Sequence, residues 1–85
     1  MAKPVRFTAH AETVLRERRL EREWIERAAQ SPEWTESDRA NPEAERRFRA
    51  VPERDGRILR VVCVETGSEI RIISAFLDRK ARRPE

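Results

Sequence analysis

Eighty-five residues leave room for one domain, and 41% charged against 38% apolar residues hold its core to one tier of helices on one sheet. Nineteen Lys and Arg against sixteen Asp and Glu give a net charge of +3 and a pI near 10, a range that suits a nucleic-acid partner when the charge is clustered. A single cysteine, Cys63, excludes an internal disulfide and a zinc cluster; no apolar stretch follows Lys3 or is long enough to span a bilayer, so the expectation is a soluble cytoplasmic protein with no membrane partner.

Pro4 to Phe7 either adds a short strand or tucks Val5 and Phe7 against the core. Thr8 is placed to cap a helix through its hydroxyl, with Ala11, Val14 and Leu15 recurring at helical spacing to about Arg18. Leu20 to Gln30 makes a second amphipathic helix with the stripe Leu20, Trp24, Ile25 and Ala28. Ser31-Pro32 ends it, since proline cannot continue the ladder and pushes the residue before it out of the α region. Glu33 to Ser37 reads as a strand with Trp34 pointing inward, and Asp38 to Ala44 as a polar loop.

Arg57 to Phe76 comprises two β-branched runs separated by Thr66-Gly67-Ser68. A two-residue type II′ turn at Gly67-Ser68 pairs Thr66 with Glu69, Val64 with Arg71 and Val62 with Ile73. Asp55-Gly56, the favoured pair for a type I′ turn, adds Glu45 to Arg54 as a third strand with Phe48 opposite Cys63 and Val51 opposite Arg60. In that register one face collects Phe48, Ala50, Leu59, Val61, Cys63, Ile70, Ile72, Ser74 and Phe76, the expected core. The other face collects Arg47, Arg49, Arg60 and Arg71 among Val51, Val62, Val64, Ile73 and Ala75. The expected architecture is α+β: a helical hairpin packed on one face of a three- to four-stranded antiparallel meander sheet, one domain over 1–78, then a basic tail over 79–85 that is a helical turn or disordered.

His10-Ala11 at the start, Arg16-Glu17-Arg18 at the first helix end and Ser31-Pro32 closing the second helix resemble the opening of a domain-of-unknown-function family, family 4258. That family commonly stops its first helix at Gly, where this chain has Arg19, at a cost of roughly 1 to 2 kcal/mol if the residue is left-handed. Ile70 to Ala75, followed by Arg79-Lys80-Ala81-Arg82-Arg83, is similar to the last strand and tail of BrnT-type toxins, which belong with RelE and ParE. The resemblance implies a RelE-like fold and the toxin of a type II toxin-antitoxin pair. It also implies RNA, on the ribosome or free, and an antitoxin protein as partners, with metal-independent messenger-RNA cleavage and no cofactor.

Such cleavage requires the 2′-hydroxyl deprotonated, the phosphorane charge neutralised and the leaving oxygen protonated. Arginine suits the second task, because its planar fork clamps phosphate oxygens and a positioned donor at a developing charge is worth on the order of 3 kcal/mol. Arg60 and Arg71, on central or well-paired strands, rank first as catalytic candidates; Arg47, Arg49, Arg79 and Lys80 are candidates for phosphate binding, and Arg82 and Arg83 either add phosphate contacts with Arg79 and Lys80 or belong with them to a frayed tail. His10, the sole histidine, is the candidate acid or base, and the absence of tyrosine excludes a tyrosine proton donor. Against these stand a solvated arginine face neutralised by Glu36, Glu45 or Glu53, a structural His10, and Trp24 as core rather than a base-stacking platform. The competing function is a non-enzymatic module whose Arg/Val face docks an acidic protein partner. No metal-ligand spacing, phosphate-cradling glycine loop or nucleophile motif is present.

Overall fold

The computed structural model describes residues 3–84. Residues 1 and 2 of the expected domain and residue 85 of the expected tail lie outside that range. The chain runs β1 (Val5–Phe7), α1 (Ala9–Glu17), α2 (Arg22–Gln30), β2 (Trp34–Ser37), β3 (Glu45–Val51), a 3₁₀ turn (Pro52–Arg54), β4 (Arg57–Glu65) and β5 (Ile70–Leu77). The expected α+β layering, two helices on one face of a sheet, is present. The sheet itself is wider and mixed: five strands in the order β1-β5-β4-β3-β2, with β1 parallel to β5 and the other pairs antiparallel. Both short segments read as optional strands have joined its edges, and the helical pair carries the chain from one edge to the other. Among the described residues no helix is long and apolar enough to cross a membrane.

Thr8 caps α1 as its position suggested, its hydroxyl accepting from Ala11 N–H and donating to the Ile72 carbonyl, so the cap also fastens the helix to β5. The helix closes in a Schellman motif: Leu20 N–H reaches the Leu15 carbonyl and Arg19 N–H the Arg16 carbonyl, with Arg19 left-handed at φ 55°. The strain expected at Arg19 is therefore real, and it is offset because the turn delivers Leu20 into the core, where it is 4% exposed. The second helix starts at Arg22, two residues later than its stripe suggested, because Arg19 and Leu20 are spent on that turn.

Two departures in register decide what each face of the sheet carries. Asp55 and Gly56 both have positive φ, 58° and 75°, as a type I′ turn requires. They are, however, the end of a longer connection. Pro52 lacks the N–H to stay in the ladder and begins a 3₁₀ turn, so pairing resumes at Val51 opposite Arg57, and Phe48 faces Arg60 rather than Cys63. An odd shift of register exchanges the two faces of β3 relative to β4. In the second hairpin Val64 pairs with Arg71 as expected, but Ile73 is an extra residue, since Cys63 faces Ile72 while Val62 faces Ser74. This β-bulge moves Ala75 into the core and turns Ser74 and Phe76 away from it, reversing the expectation for those three. Gly67 does not have positive φ, so the tip is no type II′ turn; the Thr66 hydroxyl organises it by accepting from Ser68 and Glu69 N–H.

The helix-covered face of the sheet contributes Val51, Leu59, Val61, Cys63, Ile70, Ile72 and Ala75 to the core, against Leu20, Trp24, Ile25, Ala28 and Ala29 from the helical layer. Each of the larger aliphatic side chains stabilises the fold by about 1.5 to 3 kcal/mol on burial. The opposite face carries no helix. The C-terminal segment from Asp78 onward is neither a helical turn nor detached: Asp78 N–H donates to the Ile58 carbonyl, the chain turns through Arg79 and Lys80, and Arg83 is ion-paired with Glu33 near β2.

Candidate nucleic-acid interface

The helix-free face is built on one row of register partners. Trp34 on β2 pairs with Phe48 on β3, Phe48 with Arg60 on β4, and Arg60 with Phe76 on β5. Trp34 and Phe48 stack with centroids 4.8 Å apart and planes within 5°, and the Arg60 guanidinium lies 4.2 Å above the Phe76 ring. Cations close the row at both ends, Arg83 over Trp34 at 5.7 Å and Arg18 over Phe76 at 5.7 Å. Alternation along the strands places Glu36, Arg46, Val62 and Ser74 in the next row on the same face. Arg46 is thus a diagonal neighbour of Arg60, about 7 to 8 Å away at the backbone.

Between these rows and the C-terminal segment lies a groove of about 480 Å³ with Phe48 in its wall. Five cationic side chains line it, Arg39, Arg46, Arg60, Lys80 and Arg82, against two carboxylates, Glu36 and Asp78. Only Arg46 is closely paired, to Asp38 at 2.9 Å, and that hydrogen bond, together with Asn41 N–H, holds the Asp38 carboxyl below the usual carboxylate range. Arg39, Lys80 and Arg82 have no ion-pair partner among the described residues. Arg60 is in an unusual state: its Nε is shielded from solvent yet has no hydrogen-bond partner among the described residues, the Asp78 carboxylate being 3.6 Å away. A shielded donor without an acceptor costs about 1 to 3 kcal/mol, which the Asp78 carboxylate at 3.6 Å offsets in part.

The arginines expected to share one face are divided by the register shift. Arg47 and Arg49 lie on the helix-covered face. Arg47 is 9% exposed and donates to the Ala29 carbonyl at the end of α2, to Glu45 and to Glu65; Arg49 donates to the Ser31 carbonyl. Both fasten the helical layer to the sheet, Arg47 from a buried position with all three guanidinium nitrogens engaged. Arg71 shares the face of Arg60 but pairs with Val64, four strand residues along and about 13 Å away. There it joins Arg6 on the Glu69 carboxylate, which both hold below its usual range, Arg6 more strongly. His10 is exposed in the first turn of α1, on the other side of the sheet from Arg60. Lys80 lines the groove and Arg79 a neighbouring one. Trp34, expected to point into the core, lies on the helix-free face, whereas Trp24 is core at 7% exposed. Arg46 and Arg39 are the groove residues that sequence reasoning missed; Arg46 follows from alternation alone once β3 is set three residues along.

Among the described residues no three His, Cys, Asp or Glu side chains converge as a metal site requires. No curated protein and no solved structure matches the chain. A family model described as a domain of unknown function (DUF4258) matches residues 7–77, from β1 through the last residue of β5, and the chain belongs to that family.

Proposed function

We propose that this protein binds RNA through the phosphates of its backbone, in the groove between the helix-free sheet face and the C-terminal segment. The observation that carries the reading is the convergence there of Arg39, Arg46, Arg60, Lys80 and Arg82 against only Glu36 and Asp78. A surplus of cations held in a concave site focuses the field on a polyanion, and arginines diagonally opposed on adjacent strands offer forked donors to successive phosphate oxygens. The similarity of residues 70–83 to BrnT-type toxins supports messenger RNA as the target and an antitoxin as a second partner. With His10 across the sheet, the groove's proton-transfer groups are Glu36, Asp78 and Lys80, and the reading is kept to binding.

The test is fluorescence anisotropy of a labelled single-stranded oligouridylate titrated with the full chain at several salt concentrations. Replacing Arg46 and Arg60 together with Ala lowers the slope of log affinity against log salt by about 0.7 for each lost phosphate contact. Arg71→Ala and His10→Gln leave affinity and slope unchanged. A folded Arg46→Ala/Arg60→Ala protein that binds as tightly as the parent overturns the proposed groove, and RNA cleavage by the chain without added metal overturns the limit to binding.

A further inference from the structure

A second groove, about 300 Å³, opens beyond the first at the start of β4, lined by Arg57, Arg79 and Arg82 with the backbone of Gly56. The two are not separate sites. Asp78, Ala81 and Arg82 line both, so the C-terminal segment stands as a low ridge between them with Arg82 belonging to each side. The second groove also carries cations without carboxylate partners: neither Arg57 nor Arg79 makes an ion pair among the described residues, and the one acidic side chain in its wall is Asp78. On the helical layer Arg22 is bound to Glu12 and Arg27 to Glu53, while Arg16, Arg18 and Arg19 make no ion pair among the described residues. Cationic side chains thus line the two grooves in succession, Arg39, Arg46 and Arg60 in the first, Arg82 in both, and Arg57 and Arg79 in the second; of these only Arg46 and Arg60 have a carboxylate within ion-pair distance among the described residues.

Resting on the RNA-binding reading above, we propose that the two grooves are successive subsites of one track, and that its ligand is a single-stranded RNA segment crossing the C-terminal segment at Arg82. Ile58, which lines the second groove, and Arg60, which lines the first, are two residues apart on the same face of β4, about 7 Å, so the two grooves succeed one another along that face. Each groove is no larger than pockets that hold one small molecule, so each takes an unstacked nucleotide rather than a duplex. Arg82 is the hinge of the arrangement, because a strand must pass it to fill both.

The experiment uses the full chain and oligouridylates of two, four, eight and twelve nucleotides, followed by anisotropy at several salt concentrations. Affinity rises at least tenfold from two to eight nucleotides and levels off by twelve. In an Arg57→Ala/Arg79→Ala protein, folded by circular dichroism, the salt slope for the eight-nucleotide chain falls by about 1.4, two contacts at about 0.7 each, while the two-nucleotide chain is unaffected. Arg57→Lys/Arg79→Lys keeps most of the slope. If the eight-nucleotide slope is unchanged in the Ala variant while Arg46→Ala/Arg60→Ala still lowers it, the track is overturned and the first groove stands alone. If no chain length binds, or polyglutamate displaces RNA at equal charge concentration, the RNA reading falls and the track with it.

Discussion

Arg47 and Arg60 sit on adjacent strands of the same sheet and have opposite roles. Arg47 is enclosed on the helix-covered face and hydrogen-bonded to two carboxylates and a helix-terminal carbonyl. Arg60 is equally well held, against Phe76, but its Nε has no acceptor and its groove carries more cations than carboxylates. The difference lies in the neighbours, not in the residue: Arg47 is answered at hydrogen-bond distance by two carboxylates and a carbonyl, whereas Arg60 has a single carboxylate, Asp78, at 3.6 Å.

Removing Arg47 tests the structural side of that contrast most severely. Arg47→Ala strands the Ala29 carbonyl and loosens Glu45 and Glu65, for a loss of about 2 to 3 kcal/mol, below the range for a fully buried pair because both carboxylates still reach water. Urea denaturation then shows a lower midpoint, and thermal melting a fall of about 10 to 20 °C, with RNA affinity unchanged in protein kept below its transition. Asp78→Asn sharpens the ligand side. Asn keeps the acceptor for Lys80 N–H but removes the carboxylate nearest Arg60, so anisotropy at low salt shows RNA bound up to about fivefold more tightly with little change in stability. The smallest effect belongs to acid. Hydrogen bonds from Lys3 and then Arg47 hold the Glu65 carboxyl down at about 2, against 4.5 for the free group, so its contribution is present above pH 4.5 and is lost as pH falls toward 2. The difference in melting temperature between the parent and Glu65→Gln is therefore present at pH 6, shrinks below pH 4.5 and is gone near pH 2.

The sequence exposed the elements more readily than their alignment. Apolar periodicity, the Thr8 cap and the Ser31-Pro32 stop located both helices, and the β-branched runs located β4 and β5. The faces were another matter, because each depends on the parity of one connection. Asp55-Gly56 does take the backbone of a type I′ turn, but Pro52 three residues earlier withdraws a further stretch of chain from the ladder, and the length of that withdrawal set the pairing. The bulge at Ile73 has no signal in the local residues: Ile73 is as good a strand residue as Ile72, and only the fit of Ala75 beneath the helices selects the extra residue. Arg46 was hidden by the first of these errors, and Arg39 by its place in a polar loop with no periodicity.

Cys63 lies at 0% exposure in the centre of β4, and burial pushes its thiol up to about 11. Near neutral pH it is therefore inert to alkylating reagents while the sheet is closed, and reactive once β4 parts from its neighbours. Because no other cysteine competes, the rate of labelling in native buffer is a clock for the opening of this one strand, read without any engineered probe. Run with and without RNA, the same clock reports whether a ligand gripping Arg60 on one side of β4 tightens the core packed against the other.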